Sequence, residues 1–350
     1  MKILIIQKKR IGDVLTSTIL FEAIKEKYPN SELNYLIYEN AIDVVSNNPF
    51  IDKIIILNNK TRKSKIGFIK FLFSIKKEKY DIVVDAYGKP NSVLIGWFSG
   101  AKKTITFHKK YAKWLYSDTI VRTEKSFSTA TRAIEHRMQL LEPLGINFKI
   151  IAPKIFLTDL EIESAKEDLI NAKIDVSKPI IMISALGSND LKTYPIKYLA
   201  EILDLVCSQK EVQILFNYLP FQKEIALELY QLCNKNTKSK IFIDFYKENL
   251  REFLAITKLC TALIGNEGGA TNMAKALSVP TFTIFSPTVP KEDWNMFENE
   301  TTTISVHSND YEKIKKSTTA NAEETKCAYL KFVPSLFLDK LTDFLNFNIK

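Results

Sequence analysis

Three short segments of this 350-residue chain gather side chains of the kind that move a group between molecules. The first is Gly12-Asp13, which follows the run KILIIQKKRI. A strand-to-helix turn at the carboxyl edge of a parallel sheet is where α/β proteins place ligands. Gly12 allows a tight turn there, and a carboxylate at position 13 can take a proton from an incoming hydroxyl. Asp is equally a preferred helix cap, so cap and base stand as equal alternatives for Asp13. The second segment runs Gly265-Asn266-Glu267-Gly268-Gly269-Ala270-Thr271-Asn272. Two adjacent glycines bare backbone N–H groups where a helix begins, and the macrodipole favours anions at that end. The glycine spacing is neither the dinucleotide fingerprint nor a P-loop, and an ordinary Gly-rich loop is the plain alternative. The third is Gly187-Ser188-Asn189-Asp190-Leu191-Lys192-Thr193-Tyr194-Pro195, where Ser188 and Lys192 can donate to phosphate oxygens. A solvated surface lysine is the alternative for Lys192.

The elements that must position these segments alternate in type. Apolar runs at 2–7, 33–38, 53–57 and 80–85 read as strands. Helical spacing covers 14–28, stopped by Pro29, and then about 65–78. The second half repeats the rhythm, with strands expected at 179–186, 211–217, 240–244, 261–265 and 280–285. Helices are expected between them at 195–209, 220–234, 249–259 and 270–278. Strands alternating with helices imply parallel βαβ units and an α/β fold. The expected division is a first domain at 1–165, a second at 170–330 and a terminal amphipathic helix within 331–350 that packs back on the first.

Composition narrows the class. Apolar residues make up 46% and charged residues 25%, the values of a globular chain rather than a disordered or disulfide-framed one. The net charge is +9, but residues 1–160 hold 27 basic and 15 acidic side chains while 161–350 hold 22 and 25. A basic first half implies an anionic partner there, or else lysine used as a general solubiliser. The four cysteines (Cys207, Cys233, Cys260, Cys327) form no CxxC pair and read as small buried residues of a reducing compartment. No His or Cys spacing suggests a metal site. The apolar run at the N-terminus is too short for a signal core, and nothing approaches the roughly 18 apolar residues of a membrane span. The expected location is the cytoplasm.

In order and spacing the segments resemble bacterial glycosyltransferase family 9, whose best-known members are the lipopolysaccharide heptosyltransferases. KILIIQKKRIGDVL looks like the family's opening, and IVVDAYGKPNS resembles its strand ending Asp-Ala-x-Gly, here Asp85, Ala86 and Gly88. GSNDLKTYP is similar to its loop ending Lys-x-[Trp/Tyr]-Pro. NEGGATNMAKALSVP is similar to its nucleotide motif Asp-[Ser/Thr]-Gly-x-x-His, with Glu267, Gly268 and Asn272 standing where the family has Asp, the hydroxyl residue and His. The resemblance implies a GT-B fold, an α/β architecture of two Rossmann-like domains with parallel sheets facing across a cleft. It implies an inverting, metal-independent transfer without cofactor from a nucleotide-diphosphate sugar, with Asp13 as base. The implied donor set is Ser188, Asn189, Lys192, Gln222, Glu224, Glu267, Gly268, Gly269 and Asn272. In the family an acidic residue at the position of Gln222 touches the ribose, and Glu224 is the nearest carboxylate here.

The acceptor is expected on the basic first domain, at Lys8, Lys9, Arg10, Gly12, Tyr87, Lys89, Arg132 and Arg137. Residues 60–79 carry eight basic side chains and one acidic, interleaved with Ile66, Phe68, Ile69, Phe71, Leu72, Phe73 and Ile75. That pattern suits a helix lying on an anionic membrane face, and equally a sheet-covering helix with a solvated lysine face. The implied partners are a nucleotide-sugar donor, an anionic lipid-linked saccharide and the inner face of the cytoplasmic membrane. Nucleic acid is not expected, because no reading module is present. Two other functions remain open: a relative that binds nucleotide or glycan without turnover, suggested by Glu267 and Asn272, and a nucleotide-sugar 2-epimerase.

Overall fold

The computed structural model describes residues 1–312, 314 and 321–350, divided into two units, Met1–Phe156 and Leu157–Lys350. In the first unit the strands are β1 (Lys2–Ile6), β2 (Glu32–Ile37), β3 (Lys53–Ile56), β4 (Ile82–Asp85), β5 (Lys103–Phe107) and β6 (Asp118–Ile120). Its helices are α1 (Ile11–Thr16), α2 (Ile19–Lys27), α3 (Asn59–Lys63), α4 (Lys65–Lys77), α5 (Pro90–Phe98) and α6 (Arg132–Gln139). The sheet order is β3-β2-β1-β4-β5-β6, and every pair is parallel. Connections from β1 run toward one edge and those from β4 toward the other, so the order reverses between β1 and β4. The crevice at that reversal lies beyond the carboxyl ends of the two strands. Leu4, Ile6, Leu36, Val83 and Ile95 pack with Leu72 and Ile75 of α4 in the core on one face of the sheet.

The second unit holds β7 (Ile180–Ser184), β8 (Gln213–Asn217), β9 (Ala262–Asn266), β10 (Thr281–Ile284) and β11 (Thr303–Val306). Its helices are α7 (Asp159–Asn171), α8 (Ile196–Gln209), α9 (Lys223–Leu232), α10 (Lys235–Lys240), α11 (Leu250–Leu259), α12 (Gly269–Ala276), α13 (Lys291–Trp294), α14 (Ala322–Lys331) and α15 (Leu338–Asn348). The order is β11-β10-β9-β7-β8, again all parallel, and it reverses between β7 and β9.

Several expectations need correction. The helix expected over 14–28 is two helices. Thr16 Oγ1, Ser17 Oγ and Thr18 Oγ1 each donate to a backbone carbonyl three or four residues back, at 2.7–2.8 Å. Hydroxyls bonded this way compete with the helical ladder and bend it. The strand expected at 240–244 is a single bridge, Ile214 to Ile241, because α10 occupies most of the preceding residues. β5, β6 and β11, and α5 and α6, lie outside the elements expected from the sequence. The terminal helix was expected to return to the first domain. Instead α15 buries Leu341, Phe344 and Leu345 beside Phe282 and Ile284 of β10, in the core of its own unit. Cys207, Cys233 and Cys260 are buried, but Cys327 is exposed on α14.

Candidate functional site

In the first unit, α1 places Asp13 in its first turn, beyond the end of β1. The helix cap is Arg10, held at φ 65°, and no side-chain cap bond forms. Asp13 is therefore no cap, and the alternative left open by the sequence is removed. Its Oδ1 accepts from Arg137 Nη2 at 2.8 Å. Arg137 comes from α6, whose cap Thr131 is also held at positive φ, 73°. Non-glycine residues in that region are strained and persist where the surroundings over-determine them. Both helices of the pair thus begin at such a residue. Asp13 Oδ2 has no hydrogen-bond partner among the described residues, so one carboxylate oxygen is available to a substrate.

Arg137 was expected on the acceptor face. The structure spends its guanidinium differently: Nε donates to Ser17 Oγ at 2.8 Å and Nη1 to the Ala133 carbonyl at 2.6 Å, besides the Asp13 bond. It is a clamp on the turn. Gly12 lies inside α1 without a positive φ, so the tight turn belongs to Arg10 instead. A Cβ added at Gly12 would meet nothing within 4 Å, which leaves an open approach to the helix start.

The other first-unit candidates separate. Lys9, Arg10 and Lys89 are exposed, and Arg132 is half-buried with Nη1 on the Glu124 carbonyl at 2.8 Å. Lys8 was expected beside them on the acceptor face. It is instead 1% exposed, its ammonium 5.9 Å from the Tyr38 ring and 5.6 Å from the Tyr87 ring. Burial pulls that ammonium down to about 8, although nearby Asp85 supports its charge. Asp85, at the end of β4, is fully buried. Its Oδ1 accepts from the Tyr87 and Gly88 amides at 3.0 and 2.9 Å, and its Oδ2 from Tyr116 at 3.3 Å. Burial pushes Asp85 up to about 6 against those bonds.

In the second unit the loops after β7 and β9 meet at the reversal of strand order. Lys192 Nζ lies 3.0 Å from Glu267 Oε1. Gly268 caps α12, and a Cβ built there would touch nothing within 4 Å, so the first-turn N–H groups of the helix are open to approach. Gly265 is held at φ 130° with the Ser184 carbonyl 2.4 Å from where a Cβ would sit, so this close strand contact excludes any side chain. Ser188, Asn189 and Glu224 are exposed, Gly269 is exposed at the start of α12, and Asn272 is half-buried on its first turn. Gln222 was expected among the donor contacts. It is buried, with Oε1 accepting from Leu219 N at 2.8 Å and Nε2 donating to the Gly187 carbonyl at 2.7 Å, so it props the loop after β7 rather than facing a ligand.

Sequence reasoning missed Asn266. Its Oδ1 accepts from Tyr194 N at 2.6 Å and its Nδ2 donates to the Ser184 and Ala185 carbonyls at 3.0 and 2.9 Å. It staples β9 to the loop that carries Lys192. The signal was an amide ending an otherwise apolar strand, ALIGN, where a buried polar group must find partners.

Comparison with known proteins follows the same outline. The family model described as glycosyltransferase family 9 (heptosyltransferase) matches residues 68–323. Lipopolysaccharide heptosyltransferase 1 of Campylobacter coli is 25% identical over 303 residues, covering 82% of this chain and 84% of its own. The crystal structure of the family 9 glycosyl transferase from Veillonella parvula DSM 2008 superposes with a TM-score of 0.80 at 18% identity, covering 98% of this chain and 97% of that one. The E. coli heptosyltransferase WaaC with ADP-2-deoxy-2-fluoro heptose superposes with a TM-score of 0.65 at 17% identity, covering 87% and 93%.

Proposed function

Because the chain belongs to glycosyltransferase family 9, with the GT-B type of fold, we propose that it catalyses an inverting transfer from a nucleotide-diphosphate sugar to a hydroxyl of a lipid-linked, lipopolysaccharide-type saccharide. Heptose is the first sugar to test. The observation that carries the reading is Asp13, with one carboxylate oxygen fixed by Arg137 and the other unpartnered at the β1/β4 reversal.

The chemistry balances without a metal. Asp13 Oδ2 takes the acceptor's hydroxyl proton as that oxygen bonds to the anomeric carbon. The anomeric C–O bond to the diphosphate breaks on the opposite face, and its electron pair leaves with the phosphate oxygen. Lys192 and the open N–H groups at the start of α12 stabilise that charge. The protonated Asp13 then loses its proton to water.

The lipid end of the acceptor is served by α4. Leu72 and Ile75 cover the sheet, whereas Ile66, Ile69 and Phe73 face outward among Lys65, Lys70 and Lys76. The buried residues support the sheet-covering reading of this segment, and the exposed apolar residues support the membrane-face reading. Trp97 of α5, 52% exposed, extends the outer face through Phe98, which packs edge-on against Phe73 at 5.1 Å. Apolar side chains ringed by lysines suit the boundary of an anionic bilayer. Among the described residues no helix is long and apolar enough to cross a membrane.

The test is nucleotide release and product mass with ADP-heptose and other nucleotide sugars, in the presence of a chelator. Asp13→Asn lowers turnover about 10²–10⁴-fold, the usual worth of a general base, while nucleotide still raises the melting temperature. Full activity in that variant overturns the base assignment. The Lys192–Glu267 pair favours one second reading, a relative that binds without turnover, because the cation meant for the diphosphate is already engaged. Any glycosylated product eliminates it.

A further inference from the structure

Lys275 is the only charged residue of α12, the helix whose first turn forms the anion cradle. Its ammonium turns inward to neutral oxygens, Asn295 Oδ1 at 3.0 Å and the Met296 carbonyl at 3.1 Å, both on buried residues. The acid that answers it is reached through a relay. Asn295 Nδ2 donates to Ser305 Oγ at 2.7 Å, and Ser305 Oγ donates to Glu298 Oε1 at 2.6 Å. Every bond in the series points the same way, so a buried amide and a buried hydroxyl join an ammonium to a carboxylate. Burial pulls Lys275 down to about 8, while Glu298 supports its charge and Lys291 opposes it. Lys291 lies 3.2 Å from both Glu298 Oε1 and Asp310 Oδ2. Of the other elements packed on α12, α11 brings Lys258, whose ammonium donates to the Leu277 carbonyl at 3.0 Å, and β9 and β10 bring no titratable group.

The relay fastens one end of the segment that follows β10. Residues 286–298 leave the strand, form α13 and return through Phe297, held at φ 59°. That conformation is strained for an aromatic residue and persists where the surroundings over-determine it. At the other end Ser286 Oγ donates to the Leu191 carbonyl at 2.7 Å, next to Lys192. The segment is therefore a strap between the loop that carries Lys192 and the helix that carries the cradle.

We propose that Lys275 is a positioning residue for the donor diphosphate: through Asn295, Ser305 and Glu298 it fixes the strap and, with it, the placing of Lys192 against the start of α12. Lys275 itself touches no substrate. Loss of its proton replaces charge-assisted bonds by neutral ones of about half the strength, so the strap loosens as the medium becomes alkaline. This assignment rests on the second unit holding the diphosphate, as in the proposed function, and adds a pH dependence to donor binding that neither Lys192 nor the helix start supplies.

The experiment has two readouts on the full chain between pH 7 and 9. Trp97→Phe with Trp114→Phe leaves Trp294 of α13 as the single tryptophan, a reporter within the strap. Its emission is expected to change with a midpoint near pH 8 without any nucleotide. Calorimetric titration with ADP and with UDP supplies the second readout. Affinity for the preferred nucleotide is expected to fall at least about threefold across the same range. Lys275→Met removes both pH dependences and binds nucleotide about fivefold or more weakly at pH 7. Glu298→Gln, at an exposed position, withdraws the supporting charge and moves both midpoints to lower pH, which keeps the test decisive if Lys275→Met unfolds. A flat Trp294 profile in the parent protein overturns the proposal. So do profiles that both folded variants leave unchanged, and so does undiminished nucleotide affinity in folded Lys275→Met, the result of a purely structural role. A Trp294 transition that follows Lys275 in a protein that binds neither nucleotide supports the tether and defeats the donor reading instead.

Discussion

The guanidinium of Arg137 holds the carboxylate of Asp13 at 2.8 Å across 124 positions of sequence, while also gripping Ser17 and the Ala133 carbonyl. The base is thereby oriented by a residue that needs no contact with substrate. Arg137→Lys keeps the charge but replaces a planar fork with a single point donor. Losing one charge-assisted bond is worth about 1.5–3 kcal/mol, so kcat should fall about 10–100-fold. Donor KM should stay constant, because the donor residues lie on other elements. Steady-state kinetics decides between this and a purely structural role, in which the melting temperature drops and kcat per folded molecule does not.

Lys192 and Glu267 make a partly exposed pair that an incoming diphosphate must displace. Such pairs are worth about 0.2–1 kcal/mol. Glu267→Gln should therefore tighten binding of ADP or UDP about two- to fivefold. Lys192→Ala should weaken it about tenfold or more, having lost a charge-assisted donor. Calorimetric titration with both nucleotides measures each effect. Weaker binding in Glu267→Gln means that the carboxylate contacts the ligand directly.

Phe73 is 53% exposed and sits with Ile69 on the outer face of α4. Charging both, as Ile69→Glu with Phe73→Glu, removes apolar groups worth about 1.5–3 kcal/mol each on transfer from water. Co-sedimentation with vesicles containing phosphatidylglycerol should drop at least about tenfold, with transfer to a lipid-free acceptor unchanged. Trp97 emission should shift to the blue on wild-type binding. Equal sedimentation of variant and wild type removes α4 from the membrane face.

Asp85 is raised to about 6 by burial, from an ordinary 3.8. Between those values the folded chain holds a proton that the unfolded chain has lost, so stability falls as pH rises through that window. Above pH 6 the deficit is complete, at about 3 kcal/mol for a shift of this size. In Asp85→Asn the amide oxygen still accepts from Tyr87 and Gly88, and this slope disappears. Urea unfolding at pH 4, 5, 6 and 7 compares the two proteins; parallel pH profiles mean that Asp85 does not titrate there.

The sequence by itself determined the alternating strand–helix order, the two units and which loops carry polar groups at strand ends, because apolar periodicity and glycine placement act between near neighbours. It put Asp13, Lys192 and Gly268 in the connections that follow β1, β7 and β9 for that reason. It read Arg137 and Gln222 as ligand-facing from charge or motif position, and Lys8 as exposed beside Lys9 and Arg10. Only the tertiary structure decided that Arg137 faces Asp13, that Gln222 props Gly187, and that Lys8 lies inside between two tyrosines. A polar side chain takes whichever partner folding brings within about 3 Å, and residues separated by tens of positions meet only once the sheet order is set. The terminal helix shows the same limit. Its amphipathic pattern announced a buried face, but the surface of β10 that covers it is assembled by packing alone.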